Sequence, residues 1–224
     1  MKLKEPILFI NFKAFKEGTG SKALKLARVA EQQAKKFNKT IVLVPQTADI
    51  RIIAQKLSLP LFAQHIDSIS FGAHTGFALP EAVKEAGAVG AILNHAEHKL
   101  SNRELKKCIE RAREAKLIVM ACAESRKRAE EIASMKPDFI AIEPPELIGG
   151  NISVSKAKPS LITNSIKAIH KIKKIPVIAG AGIKKKEDAR KAMELGCKGV
   201  FVSSGIVKAL NQKNAIKEML EGMQ

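Results

Sequence analysis

The chain contains no tryptophan and no tyrosine, so its 9 phenylalanines are its only large aromatic side chains. Proteins that hold single-stranded nucleic acid stack bases on aromatics, and those that grip duplexes mass basic residues on one face. Here the lysines fall in small scattered groups: Lys35-Lys36, Lys106-Lys107, Lys173-Lys174 and Lys184-Lys185-Lys186. Acidic residues are in short supply, 22 against 39 Lys+Arg, a formal charge of +17. We read this excess mainly as a solvated helix surface that also attracts small anions, with no specific nucleic-acid partner. Cysteine is equally scarce. Cys108, Cys122 and Cys197 form no C-x-x-C pair and are odd in number, which predicts reduced, mostly buried thiols and a cytoplasmic location. No apolar run reaches membrane-spanning length, and Met1-Lys2-Leu3-Lys4-Glu5-Pro6 leads into a strand without a signal peptide, so no membrane partner is expected.

Ligand motifs are missing as well. His95 and His98 stand at i, i+3 without an H-E-x-x-H, and His65 and His74 share no ligand pattern. No P-C-x-x-C accompanies His95-Ala96-Glu97, so neither a metal site nor a zinc deaminase is expected. No G-x-G-x-x-G follows the first strand and no Walker A sequence occurs.

What the chain does have is alternation. Its 224 residues, 46% apolar and 27% charged, suit one large soluble domain over residues 1–224. A chain of this length buries roughly 70% of its unfolded surface and needs no staples. Apolar runs read as strands at Ile7–Phe12, Thr40–Val44, Leu61–Gln64, Val89–Leu93, Leu117–Cys122, Asp138–Ile142, Pro176–Ala179 and Gly199–Val202. Between them the period becomes helical: Ala23, Leu26, Ala27, Ala30, Ala34 and Phe37 share one face. Ser101-x-x-Glu104 reads as a capping box before Leu105, Cys108, Ile109 and Ala112. Pro159 opens a helix carrying Ile162, Ile166 and Ile169 inward, and Ala189, Ala192 and Met193 line another that ends at Gly196. Eight near-continuous apolar strands alternating with helices predict an α/β fold, a single (β/α)8 barrel, ahead of an open flavodoxin-like or Rossmann sheet.

In such a barrel the chemistry sits at the C-terminal strand ends. These carry Asn11-Phe12-Lys13, Gln64-His65, Asn94-His95-Ala96-Glu97-His98, Glu143, Gly180-Ala181-Gly182 and Ser203-Ser204-Gly205. The last two turns bring small residues and a helix start together, which suits phosphate binding, although short Gly turns are common in βα loops. Glu143 is followed by Pro144-Pro145 and then Gly149-Gly150, a stiff exit and a freer tip, as a base beneath a lid requires. Taken alone it also reads as an exposed Glu opening an ordinary turn. His95 reads equally as a packed core histidine, a metal ligand or an acid/base group, and Lys13 as a surface lysine or a counter-charge to phosphate.

Together, Asn11-x-Lys13, Asn94-His95-x-Glu97, Ile142-Glu143-Pro144-Pro145-Glu146-Leu147-Ile148-Gly149 and the two turns resemble the triosephosphate isomerase family over the whole chain. The short length resembles its compact, archaeal-type subclass, and Gly72-Ala73-His74-Thr75-Gly76 resembles the family's protruding interface loop. The resemblance implies interconversion of dihydroxyacetone phosphate and D-glyceraldehyde 3-phosphate through an enediol(ate), without a cofactor, because the carbonyl already acidifies the neighbouring C–H. Glu143 as base and a neutral His95 as hydrogen-bond donor are roles carried over from that family. Lys13 would add positive charge, Asn11 would place Lys13 and a substrate oxygen, and Glu97 would anchor Lys13 or the histidine loop. Backbone amides around Ile148, Gly149, Gly182, Ser203 and Ser204 would hold the phosphate. Thr75 would reach a neighbouring subunit of a homo-oligomer, a dimer or a tetramer. Two departures stand out: Ala96 replaces a serine expected to hold the glutamate when the lid is open, and the lid continues Gly149-Gly150-Asn151-Ile152-Ser153, a looser trailing hinge. Two further readings compete. A synthase of the indole-glycerol-phosphate or thiamine-phosphate type would share the phosphate turns without needing Asn11, Lys13, His95 and Glu143 together. A basic binding protein on a barrel without chemistry has Ala96 in its favour.

Overall fold

A computed structural model describes residues 3–150 and 152–224; Asn151 of the expected hinge and the first two residues lie outside them. The apolar runs become eight parallel strands: β1 Ile7–Asn11, β2 Thr40–Val44, β3 Phe62–Ala63, β4 Gly90–Leu93, β5 Ile118–Ala123, β6 Phe139–Ile142, β7 Val177–Ala179 and β8 Gly199–Val202. They pair in the order β2-β1-β8-β7-β6-β5-β4-β3, and a Leu43–Leu61 bridge brings the two ends together. The barrel is thus built as expected, with one strand much shorter than its apolar run. Around β3 the ladder gives way to other partners: Leu43 N–H donates to Pro60 O at 3.0 Å. The Gln64 side-chain amide donates to Lys13 O at 3.0 Å and Val44 O at 3.3 Å, doing at this seam what strand backbone does elsewhere.

Helices α1 Ser21–Phe37, α2 Thr47–Ala54, α3 Pro80–Glu85, α4 Asn102–Glu114, α5 Arg126–Ser134, α6 Val154–Ala157, α7 Pro159–Ile172, α8 Lys186–Glu194, α9 Ser204–Val207 and α10 Gln212–Gly222 fill the connections. Ala23, Leu26, Ala27, Ala30 and Ala34 bury the inner face of α1, as their spacing predicts. The expected capping box at α4 forms by half. Ser101 Oγ accepts from Glu104 N at 3.2 Å, whereas the Glu104 carboxylate accepts from Ser68 and steadies the loop after β3. Among the described residues no helix is long and apolar enough to cross a membrane.

Two apolar layers result. The outer one lies between strands and helices; the inner one collects Ile7, Phe9, Val42, Val44, Phe62, Ile92, Met120, Cys122, Phe139, Ala141, Ile178 and Phe201. Phe9 centres it, meeting Phe62, Phe139 and Phe201 edge-on at 5.5, 5.9 and 6.4 Å. Because strand side chains alternate, this inner face continues by twos to the C-terminal rim. From Ile7 and Phe9 it reaches Asn11; from Phe139 and Ala141, Glu143; from Ile178, Gly180; from Phe201, Ser203.

Candidate active site

His95 breaks that parity. Ile92 is inward, so Asn94 shares its face and His95 should point out. Asn94 instead adopts a left-handed conformation, φ +59°, which Asn tolerates better than most residues. Its side chain fixes the twist by donating to Cys122 O at 2.8 Å and accepting from Leu100 N at 3.0 Å. His95 is thereby turned inward and buried, edge-on to Phe201 at 6.1 Å. The Glu97 N–H donates to His95 Nδ1 at 3.2 Å. That bond makes Nδ1 the acceptor, so the proton of the neutral ring lies on Nε2.

His95 Nε2 stands 3.7 Å from Glu143 Oε2. Glu143 is 5% exposed, which excludes the reading of an exposed turn residue, and Oε2 has no hydrogen-bond partner within the protein. Ala96 has no hydroxyl to offer it. Burial, and then the Glu143 carboxylate, push the Cys122 thiol well above its ordinary value, leaving it protonated as a weak donor to that carboxylate. Gly180 closes the other side: a Cβ there would lie 2.4 Å from Glu143 Cγ.

Lys13 also sits in the left-handed region, φ +48°, with its N–H donating to Asn11 Oδ1 at 3.0 Å and its carbonyl held by Gln64. Its ammonium reaches Glu97 Oε1 at 2.7 Å. Glu97 thus contacts both Lys13 and, through its backbone, His95.

These groups open onto a cavity of ≈ 210 Å³. Asn11, Lys13, His95, Glu143, Ile148, Gly149, Gly182, Ser203 and Ser204, all nominated from sequence, line it. The Ser203 hydroxyl is a second buried polar atom without a protein partner. Lys184 and Lys208 add to Lys13 on the wall, so ammonium groups outnumber the single lining carboxylate. Lys208 is absent from the sequence reading, which names Lys184, Asn94, Gln64 and Gly180 but gives them no individual role; parity along the strands singles out the last two. Lys208 Nζ lies 5.2 Å from the Phe15 ring, whose face steadies it. Thr75 and Glu97 stand apart, on a neighbouring ≈ 580 Å³ cavity that shares Asn11, Lys13 and His95 with the first. Thr75 is exposed on the loop after β3. The three cysteines are free and buried. Among the described residues no group of three His, Cys, Asp or Glu is placed to hold a metal.

A family model described as triosephosphate isomerase matches residues 6–219. The chain belongs to the triosephosphate isomerase family. Among relatives of that name, the protein from Methanothermus fervidus is 40% identical over 222 residues, covering 99% of this chain and all of its own. The triosephosphate isomerase from Archaeoglobus fulgidus is 41% identical over 97% of this chain and 98% of its own. The crystal structure of triosephosphate isomerase from Bartonella henselae superposes with a TM-score of 0.77 over 98% of each chain at 16% identity, a likeness of fold. The compact, archaeal-type resemblance agrees with these full-length archaeal relatives of the family.

Proposed function

We propose that this chain is a triosephosphate isomerase interconverting dihydroxyacetone phosphate and D-glyceraldehyde 3-phosphate, with residues 1–224 acting as one catalytic domain. The observation that carries the reading is the pair at 3.7 Å, a buried carboxylate whose Oε2 has no hydrogen-bond partner facing an imidazole whose Nδ1 is taken up by the Glu97 N–H. Glu143 removes a proton from the carbon beside the carbonyl. The C–H electron pair forms the C=C bond of the enediolate, and the carbonyl pair moves onto oxygen. His95 Nε2–H donates to that oxygen and the Lys13 ammonium adds charge nearby, both fixed before reaction begins. A proton passes from the hydroxyl of the adjacent carbon to the former carbonyl oxygen, and Glu143 returns its proton to that adjacent carbon as the C=C pair forms the new C–H bond and the oxygen there re-forms C=O. Asn11 orients Lys13, Glu97 holds Lys13 and the histidine loop, and amides around Ile148, Gly149, Gly182, Ser203 and Ser204 seat the phosphate, helped by the Ser203 hydroxyl. The carbonyl supplies the needed acidity, so no cofactor enters.

The buried Glu143 Oε2 without a hydrogen-bond partner weighs against a barrel without chemistry, and its approach to His95 on a cavity shared with Lys13 weighs against a synthase that shares only the phosphate turns. A coupled assay with glyceraldehyde 3-phosphate, with and without a phosphoglycolate-type inhibitor, is the test. Inhibitable turnover is expected; no turnover of either triose phosphate overturns the assignment.

The loop after β3 supports a homo-oligomer, a dimer or a dimer of dimers. Its neck is closed by Asp67 N to Ala78 O at 3.0 Å and Ala78 N to Asp67 Oδ2 at 2.6 Å. Its head exposes Phe71 and Phe77 at 75% and 57%, beside Thr75. A partner's head covering the cavity beside Lys13 would bury this apolar surface. A fully active species sedimenting at monomer mass would rule it out. The buried free thiols support a cytoplasmic location.

A further inference from the structure

One carboxylate joins the lid's trailing end to the turn after β7. Asp188, in the first turn of α8 and 4% exposed, gives each oxygen to a different segment. Its Oδ2 accepts from Lys184 N at 3.1 Å and Lys185 N at 3.0 Å, directly after the cavity-lining run Ala181-Gly182-Ile183. Its Oδ1 accepts from Ser153 Oγ at 3.0 Å and pairs with Lys156 Nζ at 2.8 Å. Two further bonds run in parallel, Ser155 Oγ to Asp188 O at 3.0 Å and Val154 N to Ala181 O at 3.1 Å. Burial alone would raise the Asp188 carboxyl; the Lys156 ammonium, the two amides and Ser153 outweigh it and hold the group below its ordinary value. The segments also touch directly. Gly182, at φ +69°, would place a Cβ 2.1 Å from Ile152 O, so a side chain there would force them apart. Capping α8 requires only the Lys185 side of this network; helix capping leaves the bonds to Ser153 and Lys156 unexplained.

We propose that Asp188 is a positioning residue that ties the lid's trailing hinge to the phosphate turn, so that closure of the lid is referenced to the seated phosphate. This rests on the isomerase reading above and goes beyond it by assigning what couples the two walls. The coupling matters for the fate of the intermediate. In an enediolate left loosely held, the C–O bond to phosphate breaks as the enediolate's electron pair forms a new C=C. Phosphate then leaves and the enol tautomerises to methylglyoxal.

The test uses the full-length protein. Asp188→Asn retains one oxygen for the Lys184 and Lys185 amides but turns an NH2 towards Ser153 and Lys156, breaking the lid side of the tie. We expect kcat to fall about 10-fold, KM to rise several-fold, and the fraction of turnover released as phosphate plus methylglyoxal to rise about 10-fold. Ser153→Ala/Lys156→Met leaves Asp188 and the α8 cap intact and should raise the same fraction; it carries the test if Asp188→Asn does not fold. A helix-capping role alone would lower thermal stability while leaving KM and the product fraction unchanged, and that outcome overturns the proposal. Amide hydrogen exchange across residues 146–156, with inorganic phosphate as the probe, reads the tie without catalysis. Exchange must quicken in the variants, and equal exchange overturns the coupling. A parent protein without isomerase activity would sink the functional reading instead, with the exchange experiment still deciding whether the tie exists.

Discussion

The two rims of the barrel carry the same backbone oddity for different reasons. Among the described residues, the non-glycine residues in the left-handed region are Asn38, Lys116 and Lys136 where helices return to strands, and Lys13, Asn94 and Ala181 where strands end. At the N-terminal rim one device recurs. Lys39 N donates to Ala34 O, Ala88 N to Val83 O, Leu117 N to Ala112 O and Cys197 N to Ala192 O, each turning on Asn38, Gly87, Lys116 or Gly196. These are backbone caps that satisfy the last helical carbonyls, and lysine at such an end also meets the negative end of the helix dipole. At the C-terminal rim no two solutions match: Lys13 is held by Asn11 and Gln64, Asn94 by Cys122 and Leu100, and Ala181 by Val154. Strain offset by a repeated backbone motif marks construction, and strain offset by a different set of contacts at each residue marks the site.

The contrast can be broken in several places. Glu143→Gln should lower turnover on the order of 10³-fold with modest change in substrate binding, measured by steady-state kinetics. Unchanged turnover removes Glu143 from the mechanism. Lys13→Met should cost about 10²-fold in kcat/KM with both constants affected; a normal KM would contradict its charge role. Gly180→Ala should cost tens of fold in kcat, because its methyl must displace the carboxylate, while circular dichroism stays that of the parent. At the other rim, Lys116→Gly relieves left-handed strain but surrenders a cation at a helix end, so stability should shift by less than about 1 kcal/mol with activity intact. A large activity loss there would erase the distinction between the rims.

The smallest effect concerns pH. Burial holds the His65 imidazole below its ordinary 6.5, opposed by Asp67 and helped by the ring of His98 stacked at 4.1 Å, with the Glu104 carboxylate opposing from α4. A folded value below the unfolded one means that stability is complete above pH 6.5 and declines as pH falls through the lowered value. The melting temperature should drop on acidification below that point, and His65→Gln should flatten the slope.

That Asn11, Glu143 and Ser203 emerge inside the rim follows from alternation along an apolar strand, and Gly182 and Ser204 were legible as parts of the small-residue turns after β7 and β8. The orientation of His95 was not legible, because it depends on the sign of one φ angle that Cys122 and Leu100, from other segments, impose on Asn94. The same holds for β3, whose apolar run Leu61–Gln64 is cut short as Gln64 turns its amide to Lys13 and Val44. Thr75 stands on an exposed head.

Sequence by itself determined the number of strands, their parity and the chemical types at their ends, since these follow from local periodicity. Only the tertiary structure decided that Glu143 Oε2 faces His95 with no hydrogen-bond partner, that the Glu97 N–H meets His95 Nδ1, and that Asp188 reaches across to Ser153 and Lys156. Those facts depend on contacts between residues far apart in the chain, which no local pattern encodes.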